Sequence, residues 1–449
     1  MSATTAAAPA SPAAVTLRPS IETGGDDPLP VLGADVRVPA GAGTRTYAAL
    51  DYAASAPVLR RVWDDVADYA PWYGSVHRGA GHLSQLSTDL FERSRATVAD
   101  FLGCRPDDDV VFTRSTTDSL ALLAAVLPAG TRVFVFASEH HAVLLPWRGR
   151  QVTWLDVPRS PQEAVALLDD ALGGAPDGPK LVCVTGASNV TGELWPVAEL
   201  AAVAHRHGAR IALDAAQLAP HHPVDIGALD VDYAAFSGHK LYAPFGAGVL
   251  AGRADWLREA EPYLAGGGAS RSVVRGADGT VGARWHTSAA RHEAGSPNVI
   301  GAYAIASACR ALTEAGADRL VAREQRLLGR LRAGLARLPQ VRVLSLFGPD
   351  APRVGVVSFT VSGWSCREFA TALADEYGIG VRDGLFCAHP LLRALLGADA
   401  VAPGECGGAP EEGELGAVRV SFGAGTPCSH IDRFLTAAEE LLRRGPSRC

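Results

Sequence analysis

Short apolar runs recur along this chain with helix-like stretches between them, and that alternation admits few folds. Val110-Val111-Phe112-Thr113 precedes a helical stretch from Asp118 to Val126, and Thr131–Phe136 then reads as a buried strand. Lys180-Leu181-Val182-Cys183-Val184 and Arg210-Ile211-Ala212-Leu213-Asp214 flank a helical stretch from Val197 to His207. This alternation of strands and helices predicts an α/β domain with a mostly parallel sheet. Such sheets bind their ligands beyond the carboxyl ends of the strands.

A helical region from Val299 to Leu338 leads to a second group of strands, Val354–Phe359 and Ala417–Phe422, which reads as a smaller α+β C-terminal domain. Ahead of the sheet, Ala34–Val38 and Thr44–Leu50 alternate around a glycine turn and suggest a small hairpin. Residues 1–30, rich in Ala, Pro, Ser and Thr, lack the basic start and Leu/Val-rich stretch of a secretory signal and read as a disordered tail. The expected organisation is this tail, a segment 31–60 packing with the small domain, a large domain 61–300, and a linking helix with the small domain over 301–449.

With 449 residues, 48% hydrophobic and 20% charged, the chain has the composition of a globular protein with a large core. A net charge of −7 with interspersed signs argues against nucleic acid or an anionic membrane as a main partner. No apolar segment is long enough to span a bilayer. Eight scattered cysteines without a Cys-x-x-Cys pair fit free thiols in a reducing cytoplasm, and no cluster has the spacing of a zinc site.

Two strand ends carry the chemistry. Val231–Phe236 runs into Ser237-Gly238-His239-Lys240 and then into a second apolar stretch, Leu241–Leu250. A lysine in apolar surroundings is costly as a cation, so its amine becomes a usable nucleophile. Such amines form Schiff bases with carbonyls, including the aldehyde of pyridoxal phosphate. Upstream, Asp214 ends its strand in a carboxylate, the group that cofactor needs to keep its ring nitrogen protonated.

Asp214-x-x-Gln217 followed by Ser237-Gly238-His239-Lys240 resembles the class V, fold type I pyridoxal-phosphate enzymes, and within them the cysteine desulfurases and selenocysteine lyases. The similarity runs from about Tyr52 to the final helix. It implies a fold type I architecture, a pyridoxal 5'-phosphate cofactor on Lys240, and a homodimer with shared active sites.

The remaining site residues follow from local chemistry joined to that resemblance. Thr116 and Thr117 lie where a strand meets a helix start, a position that caps the helix and attracts phosphate, and they match the family's phosphate-binding turn. Ser237 and His239 would add donors from the other side. His140, after the strand ending at Phe136, matches the histidine that stacks on the pyridine ring and helps move protons, while His141 reads as a surface residue. Asn189 and Gln217 match residues at the ring oxygen, though satisfying loop backbone is the commoner work of Asn in turns. Ser296, in Arg291–Asn298, matches the segment by which one subunit reaches its partner's phosphate. Arg419 interrupts an alternating strand. Alone it would be a solvated face; the resemblance gives it the substrate α-carboxylate, which suits its planar fork.

Cys387 decides the reaction. Arg382-Asp383-Gly384-Leu385-Phe386-Cys387-Ala388-His389-Pro390 resembles the active-cysteine loop of group II desulfurases. Leu385 and Phe386 replace polar residues usual there, and His389 replaces a glutamine. Apolar neighbours raise a thiol's pKa and an imidazolium lowers it. The resemblance implies a desulfurase that leaves a persulfide on Cys387 for a sulfur-acceptor protein, or a C–S lyase in which Cys387 is a bystander. The alternatives are a class V aminotransferase or epimerase on a non-sulfur amino acid, and a non-catalytic cofactor-binding protein.

Overall fold

The computed structural model describes residues 27–77, 79–397 and 415–446. Its centre is a seven-stranded sheet in the order Asp108–Thr113, Gly248–Arg253, Tyr233–Ser237, Ala209–Asp214, Lys180–Thr185, Arg132–Phe136, Gln151–Leu155. Gly248–Arg253 runs antiparallel to both its neighbours, and the other neighbouring pairs are parallel. The expected mostly parallel sheet is therefore present. Successive residues point to opposite faces, and both faces are covered. Phe134, Val182, Ile211, Phe236 and Val249 join one core, while Val133, Leu181, Ala212, Ala235 and Leu250 join another. Double coverage is why these strands lack polar alternation.

The linking region is two helices, Val299–Ala315 and Ala317–Leu335, and not one continuous element. Gly316 between them has φ +84°, a conformation that no helix interior holds and that glycine adopts without strain. Beyond it, Val341–Val343, Val356–Val361, Ala417–Ser421 and Arg382–Gly384 form a four-stranded antiparallel sheet in that order. The N-terminal hairpin pairs Arg37–Ala40 with Gly43–Thr46. Ala48–Ala49 then pairs in parallel with Ile379–Gly380, and Ala48 and Leu50 sit in one core with Phe359, Phe369 and Phe434. Of the expected tail, residues 1–26 lie outside the described residues. Leu29 is buried, and its N–H donates to the Ala424 carbonyl at 2.9 Å.

Candidate active site

The sheet's carboxyl ends open into a cavity of about 270 Å³ that residues of the C-terminal segment, Arg382, Phe386, Cys387 and Arg419, also line. At one end the helix Thr116–Val126 begins. Ser115 is its N-cap, accepting from the Asp118 N–H at 3.3 Å. Ser237 Oγ accepts from the Thr116 N–H and bonds Thr116 Oγ1, both at 2.7 Å, so the helix start and the lysine strand are locked together. That close approach explains Gly248: a Cβ there would meet the Ser115 backbone at 2.7 Å. Thr117, exposed, and His239 also line this end, where the helix's free N–H groups favour an anion.

Lys240 and Asp214 are both on the cavity wall. Burial pulls the lysine's pKa down, and Arg419 adds to this, while Asp214, Cys387 and Asp51 oppose it. Burial raises the Asp214 pKa, with the Ala216 N–H and Lys240 acting against it. His140 caps a short helix, its Nδ1 accepting from the Ala142 N–H at 3.0 Å. Burial, then Lys240, His141 and Arg419, push its pKa down to about 3. The ring is therefore neutral at pH 7, and since Nδ1 accepts, its proton is on Nε2. Behind it Glu139 is fully buried, holding only the Thr185 N–H at 3.1 Å, and burial raises its pKa well above the carboxylate range.

The four-stranded C-terminal sheet and its neighbours hold the loop at Asn189 on the other side. Arg419 donates to the Asn189 carbonyl at 3.0 Å, Ser358 Oγ to the Val190 carbonyl at 2.5 Å and Arg353 to the Thr191 carbonyl at 3.0 Å. Three successive carbonyls of the loop are thus held by side chains from the C-terminal part of the chain. The Asn189 side chain donates to the Phe386 carbonyl at 2.8 Å, and Gln217 donates to the Ala53 carbonyl at 2.7 Å. Both amides line the cavity, yet both serve backbone here, the commoner task noted for Asn.

Phe386 and Cys387 take φ +52° and +54°, two consecutive left-handed residues without a glycine, a strained arrangement of the kind found at functional sites. The buried Phe386 ring lies under the Arg419 guanidinium at 4.9 Å. Its apolar side chain supports the arginine and leaves Cys387 exposed on the cavity wall. The His389 ring packs edge-on against His141 at 4.5 Å, and the His141 N–H donates to the Cys387 carbonyl at 2.8 Å. His141 is therefore a support of the cysteine loop and not a bystander on the surface.

Of the residues singled out in the sequence, Thr116, Thr117, His140, Asn189, Asp214, Gln217, Ser237, His239, Lys240, Cys387 and Arg419 line this one cavity; Ser296 is exposed and does not. Sequence reasoning missed Asp51, whose Oδ1 pairs with Arg419 Nη2 at 2.9 Å. It gave no role of its own to Arg382, read only as the start of the cysteine-loop pattern; that residue faces Arg419 across the strand pair and lines the cavity. Asp51 sits in an ordinary Leu-Asp-Tyr-Ala run with no chemical pattern of its own. Among the described residues no group of His, Cys, Asp or Glu could hold a metal ion, and no helix is long and apolar enough to cross a membrane.

Comparison with known proteins agrees with this geometry. The class-V aminotransferase family model matches residues 48–434. A cysteine desulfurase from Klebsiella pneumoniae is 37% identical over 352 residues, covering 76% of this chain and 84% of that protein. A solved cysteine desulfurase from Thermococcus onnurineus superposes with a TM-score of 0.77 at 32% identity, covering 89% of this chain and 95% of that one. The Escherichia coli cysteine desulfurase CsdA gives 0.74 at 30% identity, covering 89% and 95%. The chain belongs to the class-V aminotransferase family of fold type I, pyridoxal-phosphate-dependent enzymes, and is related within it to the cysteine desulfurases.

Proposed function

We propose that this protein is a cysteine desulfurase that uses pyridoxal 5'-phosphate, Lys240 and Cys387. The observation that carries the reading is that Cys387 lines the same cavity as Lys240 and Arg419, while the other described cysteines do not. The residues fit the cofactor: Thr116, Thr117, Ser237 and His239 at the anion-binding end, Asp214 for a ring nitrogen, and the flat neutral ring of His140 beside them. When bound, pyridoxal phosphate supplies an aldehyde for amines and an electron sink for the carbon next to a bound amine.

Arg419 takes the substrate's α-carboxylate through its fork and so fixes which way the side chain points. Lys240, whose pKa is drawn down by burial, takes and returns the proton at Cα. Asp214 holds the proton of the ring nitrogen. The Cys387 thiolate attacks the cysteine sulfur: a sulfur–sulfur bond forms, the carbon–sulfur bond breaks, and its electron pair stays with Cβ, which picks up a proton. Alanine leaves, and a persulfide remains on Cys387.

The active form is a homodimer in which Ser296 reaches the partner's site. Support comes from its exposure and from the exposed Trp63–Phe245 stack, whose Phe245 carbonyl accepts from Asn298 at 2.8 Å. Mixing Lys240→Ala subunits with subunits altered at Ser296 then restores activity, whereas full activity in a monomer excludes sharing. The exposed Cys387 suits delivery to a sulfur-acceptor protein, and the unpaired cysteines suit the cytoplasm.

Incubation with L-cysteine and a reductant tests the activity: alanine and sulfide are expected in equal amounts. Pyruvate and ammonia would mark a lyase, and amino-group transfer or epimerisation without sulfide would mark the non-sulfur alternative.

A further inference from the structure

Arg419 has to stay charged while almost completely enclosed, with a side-chain exposure of 4%. Burial works against its charge, and Arg382 works in the same direction, while Asp51 opposes both. Lys240, Arg382 and Arg419 all line one cavity. Of the guanidinium's donors, Nη1 goes to the Asn189 carbonyl and Nη2 to Asp51, and Nε is buried with no partner. A buried N–H of that kind costs about 1–3 kcal/mol unless something binds it.

Asp51 is held firmly. Its backbone bridges to Ser421, two residues beyond Arg419 on the same strand. The Ser421 N–H donates to the Leu50 carbonyl at 2.8 Å, and Ser421 Oγ accepts from the Ala53 N–H at 3.0 Å. Asp51 engages the guanidinium through Nη2 at 2.9 Å, while Arg419 itself lines the cavity.

We infer that Asp51 is a positioning residue for substrate recognition: it pairs with the enclosed Arg419 guanidinium and holds it turned so that its remaining N–H groups meet an α-carboxylate. The inference rests on the reading of Arg419 as the carboxylate site. It makes the N-terminal segment part of the substrate site, and it restricts the substrate class to amino acids with a free α-carboxylate. The rival arrangement, in which the substrate's carboxylate displaces Asp51, predicts the opposite sign, because neutralising Asp51 would then tighten binding.

The test uses cofactor-loaded wild type, Asp51→Asn and Asp51→Glu. Two quantities are read: the Kd of L-alanine from the cofactor's absorbance change, and kcat and KM for L-cysteine. Asp51→Asn should raise the Kd and KM about tenfold or more, since a charge-assisted bond is lost, with a smaller effect on kcat. Asp51→Glu should recover part of the loss. Binding of cysteamine, which lacks the carboxylate, should be the same in all three, and Asp51→Asn should add nothing in an Arg419→Lys background. An unchanged or lower Kd for L-alanine in Asp51→Asn overturns the inference, as does an equal loss for cysteamine. If Asp51→Asn fails to fold, the L-alanine and cysteamine comparison in Asp51→Glu decides, because the longer carboxylate shifts the guanidinium while keeping the charge. Failure of the wild type itself to bind L-alanine refutes the Arg419 reading instead.

Discussion

Arg353→Met removes the one guanidinium that ties the Asn189 loop to the segment Leu344–Gly348. Arg353 and Glu193 are both buried, with side-chain exposures of 1% and 0%, and pair at 2.9 Å. The arginine also donates to the Thr191, Leu344 and Gly348 carbonyls and to Ser345 Oγ. Removing one member of a buried pair costs about 3–5 kcal/mol, because the other charge is left uncompensated. Here Glu193 would keep Ser345 Oγ at 2.7 Å and the Leu346 and Phe347 N–H groups at 2.7 and 3.0 Å. Those three donors place the loss near the lower end, about 3 kcal/mol, with the orphaned carbonyls preventing a smaller value. Urea unfolding followed by tryptophan fluorescence measures it, aided by Trp195, which packs on Phe347 at 5.3 Å. The cofactor should also dissociate faster, since the loop carrying Asn189 loses its anchor at the Thr191 carbonyl. A loss below about 1 kcal/mol would refute the view that this pair clamps the loop, and so would an Arg353→Met, Glu193→Leu double variant less stable than the single one.

Lys240→Ala should leave no borohydride-reducible link to pyridoxal phosphate, which peptide mass spectrometry reads directly; a retained adduct would place the covalent site elsewhere. His140 has a folded pKa of about 3 against an ordinary 6.5, so its neutral form contributes stability above pH 6.5 that is lost as pH falls towards 3. His140→Asn should therefore flatten the acid side of the stability–pH curve by a few kcal/mol, leaving the share of His430, which lies at about 4. An unchanged curve would contradict the burial argument. Gly238→Ala should lower stability by about 1–3 kcal/mol, because its Cβ would stand 2.8 Å from Ile305 Cγ1 and 3.1 Å from the Ala247 carbonyl; an unaltered melting temperature would refute it.

What could be read from the sequence was what short-range pattern encodes. Mostly apolar strands, one ending in Asp214 and one running into the Ser237–Lys240 turn, announce a parallel sheet with its site at the strand ends, and the structure has that sheet and that cavity. The hairpin Ser270–Arg275 with Val281–Trp285 was missed although its Gly-Ala-Asp-Gly turn was visible, because its valines face outward and mimic no core pattern. Asp51 was missed, and Arg382 given no role of its own, for a different reason. Their meaning is their proximity to Arg419, which comes from strand pairing across hundreds of residues in one case and from register in the other. The break at Gly316 was readable as a glycine but not as a helix end, since the apolar periodicity continues on both sides.

The claim on which the account depends is that Cys387 receives sulfur from cysteine. The decisive measurement is peptide mass spectrometry of the cofactor-loaded protein after a single exposure to L-cysteine without reductant. The account predicts one added sulfur atom on Cys387, matched by one alanine released, and neither in Lys240→Ala. Cys387→Ser should keep cofactor binding while alanine formation falls a hundredfold or more, on the order of 3 kcal/mol in the barrier. Unmodified Cys387 in a wild type that still turns over its substrate, with undiminished turnover in Cys387→Ser, would contradict it.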